Sequence, residues 1–557
     1  MGDYSNKDWL DNPQFLKERC NMGNNRFCAM LDMSRNGVML LEKVKEYIDL
    51  LSKMGYNSLM LYTEDTYEVE NEPYFGYLRG RYTEKEIIEL DRYAQSKGIE
   101  LIPCIQTLAH LNTIFRWKKY GKLNDIRDIL LVENEDTYKL IENMFLTLSK
   151  TYTTRTAVIG MDEAHLIGRG KYLDKNGLKN AYDLMLSHLK KVAEIAQKYG
   201  FETVMWSDMF VKISNNGEYY GKNILIPQER LDEIPQNVSL AYWDYYHKEK
   251  ADYLEMINTH NGLQSPLWFA GGVWTFTGFT PNLQFSMQAT KAAMDACREK
   301  EIQNIIMTVW GDDGRECSCF TALPILYYAI ETYKGNTDLE SIKAEFNKIV
   351  GIEFDAFMLL EVPNMLPNNI ATTNNPSKYM LYNDLFSGIY DTLVIGNEEM
   401  YFYKAKELLK PYINKGQYCE LFRLQYHLCC VLELKYTLGV ELRTAYQKSD
   451  RAVLSLLVRK IRLTVSRVRA FLRQFEKVWE IEHKPQGLEV HQHRLGGLIS
   501  RMSYCENALA RYLKGEISEI PELGEMLLDY TGEGENYQKC VLQSNWWLEN
   551  VSVNIMG

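Results

Sequence analysis

Two adjacent carboxylates end an apolar run in this chain. Ala157-Val158-Ile159-Gly160-Met161 leads straight into Asp162-Glu163-Ala164-His165. A short run with β-branched residues reads as a buried strand. Ionised carboxylates are costly to bury unless paired, so packing does not explain two acids at its end. They belong at a strand's exit, where a parallel α/β sheet places its chemistry. Glycoside hydrolysis normally needs one protonated acid and one carboxylate on opposite sides of the scissile bond. Two neighbours on one strand do not straddle that bond. Their adjacency suits a reaction in which the substrate supplies its own nucleophile. In a 2-acetamido sugar the carbonyl oxygen attacks the anomeric carbon and forms an oxazolinium ion. One carboxylate then orients the acetamido N–H and stabilises the cation. Its neighbour protonates the leaving oxygen and later activates water.

Other apolar runs end in the same kinds of residue. Their exits carry Asp32, Glu64 and Asp65, His110, Trp206 and Asp208, Trp243 and Asp244, Trp274, and Trp310 and Asp312. Acids bind sugar hydroxyls through charged hydrogen bonds, and indole faces stack on the apolar face of a pyranose. The whole chain has 10 tryptophans, and four of them stand at these exits, so a carbohydrate pocket is favoured over simple barrel packing.

The elements that must position these residues alternate. Helix-period segments ending in basic residues, often with glycine, precede apolar strands; Lys53-Met54-Gly55 before Ser58 is one example. The strands read as Phe27–Asp32, Ser58–Thr63, Glu100–Ile105, Ala157–Met161, Glu202–Trp206, Val238–Trp243, Pro266–Val273 and Asn304–Trp310. Eight alternations over about 300 residues predict an α/β fold, a (β/α)8 TIM barrel. A doubly wound sheet would carry a glycine-rich phosphate loop after the first strand, and Met33-Ser34-Arg35-Asn36-Gly37 is not one. The expected organisation is an N-terminal segment (1–24), a catalytic barrel (25–335) and an all-α C-terminal domain (336–557) that packs on the barrel or mediates dimerisation. In that domain Leu454, Leu457, Ile461, Val465, Val468 and Leu472 share one helix face. The Pro/Asn-rich stretch Pro363–Pro376 reads as a linker or surface loop.

At 46% hydrophobic and 25% charged, the 557 residues are ordinary for a soluble globular protein. The net charge of −11 argues against nucleic acid or an anionic membrane as partner. No run is long and apolar enough for a membrane helix. Met1 to Lys7 has no apolar core of a secretory leader. The 11 scattered cysteines form no CxxC pair, so neither a zinc site nor a disulfide framework is indicated and a reducing, cytoplasmic setting is predicted. No cofactor is expected.

The motifs resemble a known family. Gly160-Met161-Asp162-Glu163 is similar to the Gly-x-Asp-Glu signature of glycoside hydrolase family 20, the β-N-acetylhexosaminidases, and sits on the fourth strand as in that family. Leu31-Asp32-Met33-Ser34-Arg35, Thr107-Leu108-Ala109-His110, Val204-Met205-Trp206-Ser207-Asp208, Ala241-Tyr242-Trp243 and Trp310-Gly311-Asp312-Asp313-Gly314-Arg315-Glu316 resemble its segments on strands one, three, five, six and eight. The branch with a helical C-terminal domain, which includes intracellular bacterial exo-β-N-acetylglucosaminidases, is the best match. The resemblance implies an exo-acting, retaining enzyme that releases terminal β-linked GlcNAc or GalNAc from a glycan. It implies that Asp162 serves the acetamido group and Glu163 is the general acid/base. Trp206, Trp243 and Trp274 would line the pocket. Asp312 and Glu316 would bind hydroxyls, with Asp32, His110 and Trp310 beside them. Arg26 would grip the sugar's O3 and O4, with Arg35 as its rival. Tyr245, or the equally placed Tyr246, would donate to the acetamido carbonyl. A homodimer through the helical domain rests on resemblance alone.

Two other readings compete. Asp162, Glu163, Asp208, His110 and Glu64 suit a divalent cation in a sugar isomerase, but that leaves the tryptophans unexplained. A non-catalytic sugar-binding barrel is the second. The family's usual α/β domain before the barrel has no counterpart in the roughly 25 residues ahead of the first strand. His110 reads as structural or as tuning an acid, and His165 as structural. Glu482 to Gly487 has no assigned role, and His491 and His493 read as a solvated helix face.

Overall fold

The computed structural model describes residues 25–367, 374–530, 532 and 544–554. The N-terminal segment 1–24 therefore lies outside the described residues. Eight parallel strands form the core: β1 (Arg26–Asp32), β2 (Ser58–Tyr62), β3 (Glu100–Cys104), β4 (Thr156–Val158), β5 (Glu202–Trp206), β6 (Val238–Trp243), β7 (Trp268–Gly272) and β8 (Asn304–Val309). Each pairs with its neighbours in chain order, and β8 returns to β1, so the barrel closes. Helices α1 (Leu41–Met54), α2 (Glu84–Ser96), α3 (Glu135–Thr151), α4 (Ala181–Lys198), α5 (Lys250–Thr259), α6 (Leu283–Glu299) and α7 (Leu323–Tyr333) lie between and after the strands.

The pleat explains the aim of the site residues. Side chains alternate along a strand. Cys28, Met30, Ile102, Cys104, Val204 and Ile306 fill the barrel interior. Phe27, Ala29, Leu31, Leu101, Met205 and Ile305 belong to the core under the helices. Continuing the inward phase by one or two steps reaches Asp32, Gln106, Trp206, Asp208, Trp310 and Asp312. The β4 strand stops earlier than the sequence suggests, at Val158 rather than Met161, because Gly160 and Met161 turn out of it with φ of +70° each.

Beyond the barrel the described chain is helical. Helices α8 (Cys419–Lys435), α9 (Arg451–Glu482) and α10 (Leu488–Lys514) pack together. The predicted face of α9 is buried from Leu454 to Val468 and half-buried at Leu472. The segment after α9 straps onto the barrel: Lys484 N donates to Val38 O (2.8 Å), and Lys484 Nζ pairs with Glu86 (2.9 Å).

Two expectations about this region are corrected. His491 is not on a solvated face: it is fully buried, and its Nε2 lies 2.6 Å from the Gly314 carbonyl on the loop after β8. Only its neighbour His493 is exposed. The described ends of Pro363–Pro376 are not a surface loop either. Pro363, Asn364, Asn374, Asn375 and Pro376 are buried, while 368–373 lie outside the described residues. Side-chain amides make this burial tolerable: Asn364 Nδ2 donates to Asn282 Oδ1 (3.1 Å), and Asn375 Nδ2 to Thr277 O (2.6 Å).

Candidate active site

The C-terminal face of the barrel opens into a cavity of about 700 Å³. Arg35, Glu64, His110, Asp162, Glu163, Trp206, Trp243, Tyr245, Trp310 and Asp312 all line it, and Tyr246 stands with them. Eleven residues from the exits of seven strands thus meet in one place.

The acids sit on strained backbone. Gly160, Met161, Glu163 and the facing His110 all have positive φ, which costs energy in any residue but glycine and concentrates at functional sites. A side chain at position 160 would collide with the Gln106 amide, so only glycine fits there. That amide holds the turn: Gln106 Oε1 accepts from Met161 N (3.1 Å), and Gln106 Nε2 donates to Asp162 Oδ1 (2.7 Å). His110 Nε2 lies 3.2 Å from Asp162 Oδ2 and 3.7 Å from Glu163 Oε2. Burial pushes the Asp162 carboxyl up, but His110 and Gln106 together outweigh it and hold the group below its ordinary value. Burial likewise opposes charge on His110, and Asp162 overrides it, raising the imidazole to about 9. Asp162 is therefore a fixed anion. Glu163 differs: its side chain is half-exposed at the cavity. Beneath it, Asp208 Oδ2 accepts the Glu163 backbone N–H (3.0 Å), and burial followed by the nearby Asp162 charge pushes Asp208 up to about 7.

Arg26 is corrected. It opens β1 at the end away from the cavity, about 20 Å along the strand from Asp32. There it pairs with Glu100 (2.9 Å) and stacks over Trp268. Arg35 occupies the cavity instead. Its Nη1 meets Asp32 Oδ2 at 3.2 Å, its Nε is 3.5 Å from Glu64, and its guanidinium lies over the Tyr62 and Trp310 rings. Asp32 is also not a wall residue. It is buried and takes bonds from Ser34 N, Ser34 Oγ and Gly311 N, so it positions Arg35. Arg35→Ala should raise KM at least tenfold, whereas Arg26→Ala should leave KM unchanged; steady-state kinetics on an aryl β-N-acetylglucosaminide tests both.

The aromatic wall is layered. Trp243 and Tyr245 stack with centroids 5.5 Å apart. Gly272 makes room for the Tyr245 ring, which a β-carbon would strike. Trp274 does not line the cavity. It is fully buried behind Tyr245, donating from Nε1 to the Tyr245 carbonyl (2.7 Å), and so acts as a support. The Trp206 Nε1 is buried and has no hydrogen-bond partner among the described residues. Glu316 is the last correction. It is buried and already occupied by Lys378 (2.6 Å) and, more loosely, Arg494 (3.6 Å). It ties the loop after β8 to the helical region rather than binding a ligand. Asp312 does line the cavity, and burial pushes it up to about 6 although Arg35 pulls it down.

Gln106 was missed from the sequence. Its signal was available, since it continues the inward phase of Ile102 and Cys104. Tyr62 was also missed; its hydroxyl accepts from Gln106 Nε2 (2.9 Å) and donates to Glu64 (3.0 Å), linking the Arg35 side to the acids. The residues proposed for a metal gather at or beneath the cavity, but among the described residues no group of three His, Cys, Asp or Glu is arranged to hold an ion.

An acid pair at a (β/α)8 barrel's exit face, one held anionic and one open to solvent within indole walls, defines a glycoside hydrolase type of site. The family model of the glycosyl hydrolase family 20 catalytic domain matches residues 28–260, and that of the Glycoside Hydrolase 20C C-terminal domain matches 355–542. The chain belongs to glycoside hydrolase family 20. It is 26% identical over 219 residues to Hexosaminidase D of Bos taurus, covering 36% of this chain and 58% of that protein. The human Hexosaminidase D is 24% identical over 219 residues, covering 36% and 41%. The chain thus spans about half the length of the curated relatives it matches. Among solved structures, the β-N-acetylhexosaminidase of Bacteroides fragilis is similar with a TM-score of 0.45 at 18% identity, over 58% of this chain and 71% of that one. The enzyme of Streptomyces coelicolor gives 0.43 at 18%, over 58% and 69%. No helix among the described residues is long and apolar enough to cross a membrane.

Proposed function

We propose that this chain is an exo-acting, retaining β-N-acetylhexosaminidase that removes a terminal non-reducing β-linked GlcNAc or GalNAc from a glycan, with the substrate's acetamido group as nucleophile. The observation that carries this reading is the unequal state of the adjacent acids. Asp162 is held as an anion by His110 and Gln106, while Glu163 stands half-exposed beside it. In the first step the acetamido oxygen bonds to C1 as the C1–O bond to the leaving group breaks. Asp162 accepts the acetamido N–H and stabilises the positive oxazolinium ion. The leaving oxygen takes its proton from Glu163. In the second step Glu163 removes a proton from water, which attacks C1 and reopens the ring with net retention. Trp206, Trp243, Tyr245 and Trp310 supply stacking faces, and Arg35 and Asp312 supply charged partners for hydroxyls at the closed end. We take 25–335 as the catalytic unit of this reading.

The test pairs a chromogenic β-N-acetylglucosaminide with the 2-hydroxy glucoside bearing the same leaving group. The acetamido substrate should be cleaved at least a thousandfold faster, because only it carries the nucleophile. Comparable rates on both would refute the mechanism.

A further inference from the structure

One wall of the cavity comes from the far end of the chain. Trp546 lines it together with Asp313 and Arg494. The segment carrying this indole is pinned in place. Ser544 N donates to Asn375 Oδ1 (2.9 Å), and Asn375 Nδ2 returns a bond to Ser544 O (2.8 Å). Asn550 Nδ2 also reaches Ser544 O (3.1 Å), and Tyr390 donates its hydroxyl to Asn550 Oδ1 (2.8 Å). Trp547 N donates to Asp313 Oδ2 (2.7 Å), and Arg494 lies over the Trp547 ring at 5.3 Å. Trp547 is thus used in packing, and Trp546 is left facing the cavity.

Its exposure says which part of a substrate it meets. The indoles and phenol at the closed end are almost wholly covered: Trp206 is 1% exposed, Tyr245 6% and Trp310 9%. Trp546 is 54% exposed and Tyr246 is 43% exposed. Glu163, which must reach the leaving oxygen, is open to solvent in the same way, its side chain 48% exposed. An exo-acting site holds the released sugar at its closed end, so the leaving group projects through the mouth. A large apolar face left in water at that mouth is covered when a pyranose stacks on it.

We propose that Trp546 is the stacking wall for the sugar on the leaving-group side of the scissile bond, so that the helical C-terminal region sets preference for oligosaccharides over simple glycosides. The inference rests on the hydrolase reading above and names its substrate class. The test measures binding in the Glu163→Gln background, where turnover is slow, with N,N′-diacetylchitobiose and with free GlcNAc. Adding Trp546→Ala should weaken the disaccharide about five- to tenfold and GlcNAc by less than about twofold. Trp546→Phe should recover most of the loss. With Glu163 intact, Trp546→Ala should lower kcat/KM on the disaccharide by the same factor and leave methyl β-N-acetylglucosaminide unchanged, because a methyl group is too small to reach the indole. Equal weakening of disaccharide and monosaccharide would overturn the proposal by placing Trp546 on the released sugar. No weakening of either would overturn it as well. Disaccharide affinity that depends on Trp546 without any cleavage by the wild type supports the wall and rejects the hydrolase reading, so the two failures are distinguishable.

Discussion

Asp162→Asn should lose about two to three orders of magnitude in kcat on every β-N-acetylhexosaminide, whatever its leaving group. The substitution keeps the shape and removes the charge. Gln106 Nε2 donates to this carboxylate and the His110 ring pairs with it at 3.2 Å, so an amide in its place is a poorer acceptor for the first and removes the charge that faces the second. It also removes the anion that faces the oxazolinium ion. The loss is insensitive to the leaving group because Asp162 acts on the acetamido side of the reaction. The same variant carries a second readout. In the wild type His110 titrates at about 9, raised by Asp162 against the effect of burial. Without that charge the imidazole should titrate well below 9, which NMR of the ring protons detects. His110 has its raised value only in the folded state. Its contribution to stability is therefore complete below its ordinary value of 6.5 and is lost as pH rises through about 9. An unchanged His110 titration in Asp162→Asn would break the link between the two groups.

Glu163→Gln should split by leaving group. On N,N′-diacetylchitobiose, whose departing alkoxide needs a proton, kcat/KM should fall by about two to four orders of magnitude. On an aryl glycoside with an acidic phenol it should fall by less than about tenfold, because that phenolate leaves unprotonated. The constant to compare is kcat/KM, which reports the first irreversible step. The later attack of water also uses Glu163 as a base, so kcat falls on both substrates. Equal falls in kcat/KM on the two would remove Glu163 from the role of acid. Together the variants separate the adjacent carboxylates: one is blind to the leaving group, the other is defined by it.

Much of the barrel was legible because its rules are local. A buried parallel strand is a short apolar run, and every one of the eight predicted runs is a strand. The period of two then carries chemistry to the mouth. Asp32, Trp206, Trp310 and Asp312 lie beyond inward-facing residues at even spacing, and Gln106 lies two places after Cys104 by the same rule. The limits were equally physical. Arg26 has the right residue type and stands beside the right strand, but it is at the wrong end of β1. Residue type does not encode which end of a strand a side chain occupies once the boundary shifts. Glu316 and Trp274 have the right types on the right loops, yet one is neutralised by Lys378 and the other is covered by Tyr245. Burial and pairing are properties of neighbours distant in sequence, so no local pattern reports them. His491 is the clearest case. On a helix that also exposes His493, its own spacing suggests solvent, and only the docking of α10 on the loop after β8 buries it.

The sequence by itself determined the barrel, the paired acids on its fourth strand, the aromatic character of the exits and the helical nature of the C-terminal region. Each is written in contiguous residues, through hydrophobic period and the cost of burying charge. The tertiary structure alone decided which arginine enters the cavity and which acid of the pair His110 and Gln106 hold. It decided which indoles are wall and which are support. It also brought Trp546 to the mouth of a pocket built by residues hundreds of positions earlier. Those outcomes depend on distances of a few ångströms between segments far apart in the chain, where the energies of ion pairs and stacking are set.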